Sequence, residues 1–104
     1  MTKYIIKTTT TFQYELKQIY NYIHFKLKEP NTAKNFYRNI KKQINSLQYL
    51  PQRHQKIPML LYNTKIIHQF PIGKYIVLYE INKKEKIVNI LHLFHSSQNF
   101  LNKL

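Results

Sequence analysis

Five histidines and two arginines are the side chains of this sequence best able to move protons and hold phosphate near neutral pH. Imidazole has an unperturbed pKa of about 6.5, so one histidine can serve as base and another as acid. Metal-free cleavage of RNA needs such a pair, for the 2′-hydroxyl and the leaving 5′-oxygen, together with cations for the charge that builds on phosphorus. His68, His92 and His95 fall in the C-terminal part of the chain and are the candidates for proton transfer. Arg53, Lys56 and Gln98 are the candidates for phosphate or RNA contact. His92 and His95 are three residues apart, which places them on opposite faces of a strand; strand twist or a bulge near Phe94 would bring the strand end round. The same spacing is poor geometry for zinc. Each candidate also has a plain structural reading. His92 shares strand parity with Val88, Ile90 and Phe94 and could be packed, His95 could be an exposed strand end, and Arg53, His54 and Lys56 could serve only loop solubility. Lys34, Arg38, Lys41 and Lys42 recur on one helical face, which is either solvated or a nucleic-acid contact.

Other chemistries are excluded by what is missing. Without cysteine there is no disulfide, no thiolate zinc site and no thiol nucleophile. Aspartate is absent too, and the four glutamates Glu15, Glu29, Glu80 and Glu85 are too scattered for a two-metal centre. Glu15 and Glu85 are expected on a solvated helix and in a hairpin loop. One glycine cannot build a phosphate-cradling loop. No metal or cofactor is therefore expected. The 104 residues carry a net charge of +13 and a pI near 10.0, which calls for an anionic partner such as nucleic acid, a ribosome, an anionic membrane or an acidic protein. The preference for lysine over arginine also fits an A+T-rich genome, but codon bias does not explain the shortage of acids.

The elements that must position these residues follow from periodicity. Tyr4-Ile5-Ile6 reads as a first strand over residues 3–8. Thr10 with Gln13 fits a capping box, and Phe12, Leu16, Ile19, Tyr20, Ile23 and Leu27 form one face of a helix over 11–28. Glu29-Pro30 breaks it, and Asn31 is placed to cap a second helix with the stripe Ala33, Phe36, Ile40, Ile44 and Leu47, stopped at Leu50-Pro51. Residues 52–63 read as a loop. Strands over 65–70, 75–81 and 86–95 follow, joined by Pro71-Ile72-Gly73 and by Asn82 to Lys86. The expected fold is α+β, one domain over 1–104, in which a small antiparallel sheet of β-α-α-β-β-β order is covered by a two-helix hairpin. No apolar run approaches the roughly 20 residues of a membrane span, and Lys3 and Lys7 precede any signal-peptide core, so a cytoplasmic protein is expected.

The sequence resembles the RelE/ParE superfamily of toxins from bacterial type II toxin-antitoxin modules, some of which stabilise plasmids. The likeness rests on Tyr4-Ile5-Ile6 with Thr9 and Phe12; Ile19 to Ile23; Leu27, Pro30, Thr32-Ala33 and Phe36; Ile44 with Ser46-Leu47; Pro51 with Arg53; Phe70 to Ile81; and Ile87-Val88 with Ile90 to Asn99. The resemblance implies the same α+β fold and a cognate acidic antitoxin that wraps the toxin. It implies one of two activities: metal-independent endoribonuclease action on mRNA at the ribosome, the reading taken here, or inhibition of DNA gyrase. A non-catalytic nucleic-acid-binding relative is the remaining alternative. His68 and His92 stand where many relatives carry arginine, His95 where histidine is common, and Ser97 and Gln98 where one or two arginines are frequent.

Overall fold

The computed structural model describes residues 3–54 and 66–97. Its elements are β1 (Ile5–Thr8), α1 (Thr10–Asn21), α2 (Pro30–Asn45), β2 (Ile67–Ile72), β3 (Tyr75–Asn82) and β4 (Ile87–His95). Helices α1 and α2 pair as a hairpin against a four-stranded sheet of order β1-β4-β3-β2, an α+β arrangement. The meander β2-β3-β4 is antiparallel as expected. β1 corrects the all-antiparallel expectation: it joins β4 in parallel, from Ile5 opposite Ile87 to Thr8 opposite Ile90, so the sheet is mixed. Parallel neighbours need a long connection, and everything between β1 and β4 supplies it. No helix among the described residues is long and apolar enough to cross a membrane.

Thr9 is the joint between sheet and helix. Its backbone N–H donates to Ile90 O at 3.0 Å, continuing the ladder past β1. Its hydroxyl donates to Leu91 O at 3.0 Å and accepts the Phe12 N–H at 3.0 Å. Thr9, not Thr10, is thus the N-cap of α1, because Thr9 is the residue that keeps extended backbone (φ −80°, ψ 161°). The Gln13 side chain bonds Thr8 instead of closing a capping box.

The first helix does not run unbroken to residue 28. A turn of π-helix, Tyr22–Lys26, follows α1, with the Leu27 N–H reaching Tyr22 O at 3.0 Å. Lys28 then enters the left-handed region at φ 56°, and Glu29 N–H closes on Ile23 O at 3.1 Å. α2 begins with Pro30 at its first turn, where the missing N–H costs nothing. Glu29 therefore occupies the N-cap position expected of Asn31. A 3-10 turn, Ser46–Gln48, ends the hairpin.

The main core lies between hairpin and sheet. Phe12 and Leu16 of α1, Ile40 and Ile44 of α2 and Leu47 pack on Val77, Tyr79, Val88, Ile90 and Leu93, all 2% exposed or less. Ile67, Leu78 and Phe94 form a second buried cluster on the other face of the sheet. β2 extends two residues further than expected, through Pro71 to Ile72; as an edge strand it tolerates a residue with no N–H. The turn is left to Gly73 and Lys74, with Gly73 at φ +58°.

β4 carries the bulge, at Leu91 and not near Phe94. Tyr79 pairs with Ile90 but Leu78 pairs with His92, leaving Leu91 extra. The parity of the strand resets there. Ile90 and Leu93 both enter the main core, while Phe94 joins the second cluster. The expectation that Val88, Ile90, His92 and Phe94 share one face is corrected accordingly.

Candidate functional site

The chain between hairpin and sheet enters the site through Leu50, a non-glycine residue at φ 51°. Pro51–Arg53 make a 3-10 turn, and His54 follows. This segment is bolted to β3: the buried Tyr79 hydroxyl donates to Pro51 O at 2.6 Å. His68 on β2 lies directly across from Tyr79, and their rings stack at 5.2 Å with a 13° interplanar angle. The His68 Nδ1–H donates to His54 O at 3.1 Å, which assigns its proton to Nδ1. The His54 ring in turn stacks on Phe70 at 3.8 Å and meets Tyr79 edge-on. The result is a packed imidazole-phenol cluster in which His68 is 4% exposed. The backbone of Arg53 borders it. Lys56 and Gln98 lie outside the described residues.

His92 is placed by a different device. β1 ends at Thr8, opposite Ile90, so beyond that point β4 has no strand neighbour on this side. An edge N–H must find another acceptor. Glu15 of α1 provides it: one carboxylate oxygen accepts the Leu93 N–H at 3.0 Å and His92 Nδ1 at 3.3 Å. With its side chain 11% exposed, Glu15 is not the solvated helix residue that the sequence suggests. The periodicity of α1 gave no sign of this, because the open N–H belongs to a strand 77 or more residues away.

His95 ends β4 opposite Tyr75. Its Nδ1 accepts the Ser97 N–H at 3.1 Å and lies 2.8 Å from the Ser97 hydroxyl, which leaves the ring proton on Nε2. Its ring meets Tyr75 edge-on at 5.5 Å, and Tyr75 packs on Phe36 of α2 at 4.9 Å. Burial, and secondarily the neighbouring Tyr22, hold the Tyr75 hydroxyl above its ordinary pKa of 10.0.

The three histidines therefore occupy separate settings. His68 shares a cross-sheet row with Tyr79 and Ile90, whereas His95 shares one with Tyr75, four residues along β3. That separates their backbones by roughly 13 Å along the strands and roughly 10 Å across them. His92 sits at the open edge of β4, held by Glu15. His68 comes together with His54 and Tyr79, residues that spacing alone did not group. Among the described residues no group of three His, Cys, Asp or Glu side chains could hold a metal ion.

A helical hairpin across a four-stranded mixed sheet, with its last strand bulged at the open edge, defines the class of small RelE/ParE-like α+β proteins. The family described as the ParE toxin of the type II toxin-antitoxin system parDE matches residues 6–100, and the chain belongs to that family. It is a type II toxin by that membership. Among solved structures, the chromosomal ParDE system from P. aeruginosa is similar with a TM-score of 0.72 and 16% identity, over 91% of this chain and 98% of that one. The archaeal RelE-RelB complex from Pyrococcus horikoshii aligns at 0.65 and 22% identity over 95% and 100%. RelBE2 from Mycobacterium tuberculosis aligns at 0.63 and 20% over 94% and 97%. At these identities the structural likeness speaks for the fold. Comparison with curated protein sequences gives no match.

Proposed function

We propose that this toxin acts by docking on DNA gyrase, the activity that the resemblance assigns to the ParE branch, and that it is held inactive by an acidic antitoxin. The supporting observation is the separation of the three histidines: His68 is buried under Tyr79 and His54, His92 is tied to Glu15, and His95 lies at the far end of the sheet. A protein-docking inhibitor needs no proton-transfer pair, whereas RNA cleavage needs a base and an acid around one phosphate. Membership of the ParE toxin family favours the same branch. Both functions belong in the cytoplasm.

The competing endoribonuclease reading keeps His92, His95 and His68 as acid and base, with Arg53, Lys56 and Gln98 on the phosphate. What favours it is the His54 segment, whose carbonyl accepts from His68 Nδ1 and whose ring stacks on Phe70, so that two imidazoles lie close together. The decisive experiment gives the purified toxin to gyrase and to translating ribosomes in parallel. Loss of negative supercoiling activity with intact mRNA supports the docking reading. Cleavage of ribosome-bound mRNA that is abolished in His68→Ala, His92→Ala or His95→Ala, with melting and antitoxin binding preserved, overturns it.

A further inference from the structure

Among the described residues His68 is the only buried polar residue apart from tyrosine. It stands on β2 opposite Tyr79, on the face of the sheet that carries Phe70 and meets the hairpin. The Tyr79 ring covers one side of the imidazole. The turn that runs from Pro51 to His54 is fastened to the same spot by three contacts: the His68 Nδ1–H on His54 O, the Tyr79 hydroxyl on Pro51 O, and the His54 ring on Phe70. Chain enters that turn through Leu50, in the left-handed region at φ 51°. A short irregular segment held by a few side-chain contacts opens at far lower cost than the strands beneath it.

A proton taken up by a closed-in imidazole must be answered by an anion or by water. The chain has four side-chain carboxylates in all, and each is placed elsewhere. Glu15 serves the edge of β4, Glu29 caps α2 and accepts from Thr32, and Glu85 lies in the turn between β3 and β4. Glu80 adjoins Tyr79 in sequence but points to the other face of the sheet, where it stands opposite Ile67 and accepts from Asn89. On the His68 face its neighbours along β3 are the uncharged Val77 and Ile81, and the last turn of α2 brings Lys42. The charged residues nearest the turn in sequence, Arg53, Lys56 and Lys65, are all cations, and protonation would make His54 another. Opening of the turn supplies the water that the closed form withholds, and there an imidazole binds its proton with a pKa of about 6.5. The open form therefore binds more protons than the closed one. Closure is at full strength above that pH and is lost as pH falls below it.

We propose that the 51–54 turn is a proton-operated latch, held closed on β2 and β3 by neutral His68 and released when His68 takes up a proton. The latch goes beyond the gyrase reading and does not depend on it, since it is read on the purified toxin without gyrase or ribosomes. The experiment follows amide hydrogen exchange from pH 7 to pH 5, corrected for the intrinsic pH dependence of exchange, together with the ring 15N shifts of His68. For one imidazole of ordinary pKa in the open form, the opening constant of the 51–54 segment is expected to rise about 25-fold over that range and to be flat above pH 7. Amides of Val77 and Val88 in the core strands are expected to show no such rise. His68→Asn keeps a neutral donor for His54 O without a titrating ring and is expected to abolish the pH dependence. His54→Phe keeps the backbone acceptor and the stack on Phe70 and is expected to retain it. Ring shifts in the wild type keep the test independent of either variant: at pH 5.5 the closed form should still show a neutral, Nδ1-protonated His68. A His68 ring that titrates near pH 6.5 with the turn unchanged would overturn the proposal. So would exchange that accelerates equally at Val77 and Val88, which is global acid unfolding, or a pH dependence that vanishes in His54→Phe, which would make His54 the sensor.

Discussion

Glu15 and Tyr79 each hold together parts of the molecule that are distant in sequence, and each does so with a single polar group. Removal of the Glu15 carboxylate leaves the Leu93 N–H without its acceptor in a nearly closed environment. Glu15→Ala is therefore expected to lower unfolding stability by about 1–3 kcal/mol, the ordinary cost of an orphaned buried donor, read as a shift in the denaturant midpoint. Tyr79→Phe strips the hydroxyl from Pro51 O at the same rough cost, and it should also loosen the 51–54 turn, measurable as faster amide exchange there. Tyr75 gives a pH signature. Its hydroxyl pKa is raised in the folded protein, so the folded state holds the proton more tightly than the unfolded chain does. That contribution is complete below pH 10.0 and is lost as pH rises through the folded value. Above pH 10.0 the stability of Tyr75→Phe should fall less steeply than that of the wild type, in a urea series run at each pH.

At the scale of elements, the hairpin is legible in sequence and its tip is not. Phe12, Leu16 and Ile23 on one helix and Ala33, Ile40 and Ile44 on the other are buried as their spacing requires. The π-turn at Tyr22–Lys26 leaves no trace in that spacing, because it adds one residue to a single turn without moving Ile23 off the buried side. Lys28, the left-handed residue that ends it, exposes its side chain and pays in backbone strain. Lys28→Gly should relieve that strain and raise stability by up to about 1 kcal/mol, seen as a higher melting temperature. Strand β4 shows the opposite case. Alternation along Val88 to His95 sets its ends correctly, but the bulge at Leu91 comes from pairing with β3 and reassigns His92 and Phe94.

For the whole molecule, charge dominates encounters with partners. A net charge of +13 steers any acidic protein toward the surface, and salt screens that attraction over about 10 Å at 0.1 M. The association rate with the purified antitoxin is expected to fall by at least tenfold between 50 mM and 500 mM salt in stopped-flow measurements, with dissociation changing much less. A rate independent of salt would mean that apolar contacts alone govern the encounter. Expression without the antitoxin is expected to arrest bacterial growth, scored as colony counts at confirmed soluble expression.

The sequence by itself determined the α+β class, the order of the elements and most of the core, because periodicity is a local property. It also placed Gly73 in the turn where a positive φ is required. Only the tertiary structure decided that β1 lies parallel to β4, that Glu15 is an edge-strand acceptor, and that His68 answers to His54 and Tyr79 and not to His95. Those outcomes depend on which backbone groups are left unpaired after the strands have assembled. A hydrogen-bond vacancy at Leu93 exists only once β1 has stopped at Thr8, and no spacing rule applied to one segment can see it.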